Sequence, residues 1–105
     1  MTVVAHLDLH LRLNDPDDLD KAYASLNQIL VDTRAFDGCL GVDVLIDRED
    51  PAHVLVHESW ASAEHDAAYR AWRATEAGAS DLGSILAGPP TLTLFTVADD
   101  SRADL

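Results

Sequence analysis

A chain of 105 residues supplies one domain and leaves no room for a second core. Its 19 acidic residues outnumber 7 basic ones for a net charge of −12, a surface that repels nucleic acid and anionic lipid; Lys21 and six scattered arginines build no basic patch. Cys39 is the sole cysteine, which excludes an intrachain disulfide and a cysteine-based metal knuckle, and no stretch approaches the ~18 apolar residues of a membrane helix.

These numbers predict a soluble cytoplasmic protein with neither nucleic acid nor membrane as partner. At 48% hydrophobic the chain is rich for its size. A domain this small buries only about two-thirds of its unfolded surface, so oligomerisation is the simplest use of the excess.

Residues 3–13 alternate strictly. Val3, Ala5, Leu7, Leu9, Leu11 and Leu13 lie on one face, with Val4, His6, Asp8, His10 and Arg12 on the other, which predicts a long strand with one apolar side. Asn14–Asp18 then reads as a helix start, with Asp15 as cap, Pro16 in the first turn and acidic residues at the positive end of the dipole. Leu19, Ala22, Tyr23, Leu26, Ile29, Leu30 and Thr33 recur at helical spacing, carrying an amphipathic helix to about residue 35.

Asp37-Gly38 turns the chain into a second strand over 39–47, with Leu40, Val42, Val44 and Ile46 in one row. A polar turn, Asp47–Pro51, leads back through a third strand over 52–60, making a hairpin with a loop of about five residues. Ser62 caps a second helix that stops before Gly78, with Ala67, Ala68, Ala71, Trp72 and Thr75 as its apolar set. A short helix is predicted from Ser80 to Ala87, cut off by Gly88-Pro89-Pro90, and residues 91–97 form the last strand.

The order is β-α-β-β-α-β: an α+β fold with a ferredoxin-like antiparallel sheet and helices on one face. Residues 1–98 make the domain and 99–105 an acidic flexible tail. The uncovered sheet face must be polar or packed, and Leu45, Phe95 and Val97 leave apolar residues on both parities of the second and last strands. Two such sheets facing each other across a two-fold axis would solve this, so a homodimer is expected.

The run Thr33–Val44, then Glu49-Asp50-Pro51, then His57-Glu58-Ser59-Trp60, resembles the antibiotic biosynthesis monooxygenase (ABM) family. That family's habitual pattern is a (P)GCLGY strand, a DP turn and an E-x-W entering a helix. Here Asp37 replaces the proline and Val42 the aromatic residue. The resemblance spans roughly residues 3–97, with its specific residues between 33 and 72. It implies a dimeric α+β barrel in which two ferredoxin-like sheets face each other. It also implies oxidation of aromatic polyketide-type substrates by molecular oxygen without metal or organic cofactor. Relatives break down haem or isomerise small signalling molecules. Members often carry a histidine nine residues after the tryptophan, where this chain has Tyr69. Tyrosine, with an ordinary pKa near 10, is a poor base at neutral pH, and the replacement removes a histidine haem ligand.

Histidines are the candidate bases, because imidazole titrates in the range that a cofactor-free oxygenase needs to ionise its substrate. His6 and His10 share a strand face with Asp8 between them, and the third strand, expected as neighbour, carries His53 and His57. His6 and His10 stand about 13 Å apart along the strand, too far to share one ion, so no metal is expected. The nominated catalytic residues are therefore His6, His10, His57 and Tyr69, with Trp60, Trp72 and Asp8 binding substrate. Their pocket is expected between sheet and helices, lined by Trp60, Tyr69, Trp72 and one or more of the histidines. Trp60 is read foremost as a plug between sheet and helix, a role it can combine with that of pocket wall, and Glu58 as its buried partner. Asp8 and Asp43 are expected to pair with Arg12 or Arg34. The function that follows is a cofactor-independent monooxygenase acting on a small aromatic or quinone-forming substrate. Alternatives are a protein that binds a small hydrophobic metabolite without chemistry, and a module whose dimer is its whole function.

Overall fold

A computed structural model describes residues 2–98; the tail at 99–105 lies outside the described residues. The elements are β1 (Val3–His10), α1 (Asp18–Ala35), β2 (Cys39–Ile46), β3 (His53–Trp60), α2 (Ala63–Arg73), a 3-10 turn (Leu82–Ile85) and β4 (Thr91–Thr96). The strands form one antiparallel sheet in the order β2-β3-β1-β4, the ferredoxin-like arrangement that the element order predicts.

The parity of β1 decides which face meets the helices. Val3, Ala5 and Leu9 are buried, and their partners across the β1–β3 ladder, Trp60, Glu58 and Val54, are buried with them. α1 returns Ala22, Leu26, Leu30 and Thr33 onto this face at three- and four-residue intervals. One core unites Leu9, Leu11, Leu26, Leu30, Val54 and Val56; a second, at the other end of the sheet, joins Val3, Ala5, Trp60 and Tyr69. Fully burying a leucine such as Leu9 or Leu26 contributes about 1.5–3 kcal/mol.

Several boundaries differ from the periodicity for local reasons. β1 ends at His10 because its partner β3 begins opposite at His53; beyond it, Leu11 N–H donates to Ala52 and Arg12 N–H to Ile85. Asp15 does not cap α1. The helix begins at Asp18, whose carboxylate accepts hydrogen bonds from the backbone N–H groups of Asn14 and Asp15. α2 stops at Arg73, and the segment expected as a short helix is a single 3-10 turn.

The predicted Leu40–Val42–Val44–Ile46 row is broken at its first member. Cys39 pairs with Trp60 and Gly41 with Ser59, so Leu40 is the extra residue of a β-bulge and is 60% exposed. Gly38, immediately before, has φ +87°, and a side chain there would meet the His65 ring at 2.1 Å.

Helices cover only one side of the sheet, and not all of that. Leu92 and Leu94 lie opposite Leu7 and Ala5, on the helix side, yet they stay exposed at the β4 edge. On the open side, Leu45 and Phe95 are each 47% exposed.

Candidate functional site

The open face carries the side chains of β1 and β3 that point away from the core, so the cross-strand register determines who meets whom. His6 lies opposite His57, and His10 opposite His53. His6 Nε2 and His57 Nδ1 are hydrogen-bonded at 2.9 Å, which requires one of the two nitrogens to be an unprotonated acceptor. Phe95 meets His6 edge-on, with ring centroids 5.0 Å apart. The pair is part-buried and lies midway along the face, with Val4 and Ser59 beyond it.

At one end of the face His53 is held from both sides. Its Nδ1 stands 2.9 Å from Asp47 Oδ2, and its Nε2 stands 3.1 Å from both Asp8 oxygens. With a carboxylate at each ring nitrogen, imidazolium donates to both. The Asp47 hydrogen bond first, and that of Asp8 second, raise the His53 pKa above its ordinary value. His53 in turn holds the Asp47 carboxyl below the usual range, helped by the Glu49 backbone N–H. His10 stacks on His53 with centroids 4.7 Å apart, and its Nε2 is 3.4 Å from Asp8 Oδ1. Asp8 is thus committed to histidines, correcting its expected pairing with arginine. Arg12 and Arg34 donate instead to the backbone carbonyls of Ser84 and Val42.

The sheet separates the nominated residues into two groups. Trp60 and Tyr69 lie on the helix side, buried, with Trp72 packed beside them, whereas His6, Asp8, His10 and His57 lie on the open side. A pocket lined by both groups is therefore corrected by strand parity: even-numbered residues of β1 cannot face the core that its odd-numbered residues build. A hollow of about 550 Å³ does lie between α1 and residues 79–84, lined by Gln28, Asp32, Arg73 and Asp81 among others, but none of the nominated residues borders it.

On the helix side the polar groups are engaged with one another. Tyr69 Oη is 2.7 Å from Thr33 Oγ1 and accepts from Arg73 Nε at 2.7 Å, while Arg73 also donates to Thr33 Oγ1 and to the Ile29 carbonyl. Trp60 Nε1 donates to Glu58 Oε1, and Glu58, 1% exposed, pairs with Arg70 at 2.6 Å. The E-x-W spacing places both residues on one face of β3, where the tryptophan is a plug and the glutamate its anchor.

The sequence reading missed Asp47 and Arg70. Asp47 was assigned to a polar turn, yet its N–H donates to the His53 carbonyl at the base of the hairpin, so hairpin register would have brought the two together. Arg70 gave no signal of its own, since helical spacing does not reveal a partner on another element.

The ABM family, described as antibiotic biosynthesis monooxygenase, matches residues 10–78, about two-thirds of the chain. Among solved structures, Rv0793 from Mycobacterium tuberculosis is similar at 20% identity and a TM-score of 0.75, over 97% of this chain and 100% of its own. A Deinococcus radiodurans protein described provisionally as an antibiotic biosynthesis monooxygenase matches at 20% identity and 0.75, over 95% and 96%. A Nitrosomonas europaea protein with the same provisional description matches at 13% and 0.74, over 92% and 99%. At these identities the likeness is one of fold. Comparison with curated proteins found no match. No helix among the described residues is long and apolar enough to cross a membrane. The match over residues 10–78, on a fold shared with these structures, makes this chain a member of the antibiotic biosynthesis monooxygenase family.

Proposed function

We propose that the protein is a cofactor-independent monooxygenase that takes a small aromatic, quinone-forming substrate on the open face of the sheet, with a second copy of the chain closing that face. The observation that carries this reading is the His6–His57 hydrogen bond, a built-in proton acceptor beside the Phe95 ring. A substrate methylene or phenol loses its proton to the free imidazole nitrogen. The resulting anion transfers one electron to dioxygen, the two radicals combine into a peroxide anion, and the imidazolium returns its proton to give the hydroperoxide. Loss of water then leaves a carbonyl, with one oxygen atom in the product and the other in water. Trp60 and Tyr69 support this from the far side of the sheet by holding β3 and α2 in position, and Tyr69 Oη is committed to Thr33 and Arg73.

Oxygen uptake with anthrone-type and hydroquinone substrates tests the proposal. His6→Ala and His57→Ala are each expected to lower kcat/KM by about 10²–10⁴-fold, the usual worth of a positioned base. Unchanged turnover in both variants would refute the assignment. Saturable binding of the same compounds without oxygen consumption would favour the alternative of a metabolite-binding protein.

A further inference from the structure

The far end of the open face holds three side chains that the proposed oxygenation does not use. Asp8, His10 and His53 each offer one ligand atom, and these atoms all lie within 4.8 Å of one another. We propose that these three residues bind a divalent d-block cation of the zinc class, with Asp47 as the outer carboxylate that orients His53.

The geometry supports this at three points. Donors at the usual ~2.0–2.1 Å from zinc stand roughly 3.3 Å apart in a tetrahedron. His53 Nε2 and His10 Nε2 already stand 3.1 and 3.4 Å from Asp8 oxygens, so small side-chain adjustments admit an ion between them. The donors come from adjacent strands in fixed register, His10 opposite His53 and Asp8 opposite Leu55, which pre-orients them without a loop. Finally, the Asp47 carboxylate accepts from His53 Nδ1 and turns Nε2 toward Asp8, so that an ion seated between them takes the place of the Nε2 proton, the carboxylate–histidine–metal arrangement common around bound zinc. Two imidazoles and one carboxylate favour zinc, cobalt, nickel or copper over calcium or magnesium, and leave a coordination position for water or a ligand. The same-strand distance between His6 and His10 is irrelevant to this set, because the second histidine comes from across the ladder.

The test uses the full chain, stripped with chelator and titrated at neutral pH with Co²⁺ and Zn²⁺, read by calorimetry and by the cobalt absorption spectrum. One Co²⁺ per chain, displaced by Zn²⁺, is expected. His53→Ala should weaken binding by at least about 100-fold and Asp47→Asn by about 10–100-fold. His10→Ala, at an exposed position, guards against loss of fold in the His53 variant, and circular dichroism checks each protein. His6→Ala should bind as the parent does. A parent chain that takes up neither ion, titrations of folded His10→Ala and His53→Ala that overlay the parent, or loss of binding in His6→Ala would overturn the proposal. Oxygen uptake by the stripped protein is measured separately, so the failure of either proposal is distinguishable from failure of the other.

Discussion

Glu58 sits 1% exposed in the core, and its carboxylate is tied to Arg70 and Trp60. Removing one member of a buried pair leaves the other without compensation, which generally costs more than the pair contributes. Arg70→Met should therefore destabilise the fold by about 3 kcal/mol in urea unfolding, because the methionine fills the space but leaves Glu58 unpaired. Asp18 works at the surface. Hydrogen bonds from Asn14 and then Asp15 hold its carboxyl below the ordinary 3.8. A carboxyl depressed in the folded state stabilises above its unfolded pKa, and that contribution is lost as pH falls through the folded value. The stability gap between parent and Asp18→Asn should be constant at neutral pH and close below about pH 4, as followed by thermal unfolding at stepped pH. A gap that persists at the acid end would mean that Asp18 does not act through charge. Neither network was legible in the sequence in full. Glu58 and Trp60 could be paired from their spacing on one strand, but Arg70 comes from another element, and Asp18 reaches back to the loop backbone instead of Asp15 capping the helix.

Among the elements, the connection from α1 to β2 is the most constrained. Gly38 takes a left-handed conformation, its carbonyl accepts from Ala61 N–H, and the His65 ring occupies the space that a side chain would need. Gly38→Ala should cost about 2 kcal/mol or more, since both the backbone and His65 must yield, and a shift in urea midpoint at constant slope would register it. Helix α1 and strands β1 and β3 were readable because burial on one face leaves a strict period of 3.6 or 2 in the residues. The bulge at Leu40 was not. An alternating pattern contains no mark for an extra residue, and only pairing with β3 reveals that Cys39, not Leu40, faces the core.

For the whole molecule, the open face mixes a hydrogen-bonded histidine row with the apolar side chains of Leu45 and Phe95. A patch of that kind on a small domain favours association, and two-fold packing of sheet on sheet would cover it. Light scattering is expected to give twice the chain's mass for the parent at micromolar concentration and the single-chain mass for Phe95→Asp; a parent that runs as a single chain would defeat the dimer. By itself the sequence determined the order of elements, the ferredoxin-like topology, the family and which face of β1 and β3 is apolar, since all of these follow from periodicity and short motifs along the chain. Only the tertiary structure decided how the histidines are grouped. The cross-strand partners of His6 and His10, His57 and His53, lie 51 and 43 residues away across the β1–β3 ladder, and the sheet itself divides those histidines from Trp60 and Tyr69. Local patterning specifies the face on which a side chain lies, but its neighbour across a strand pair is set by register, which depends on packing of the whole sheet.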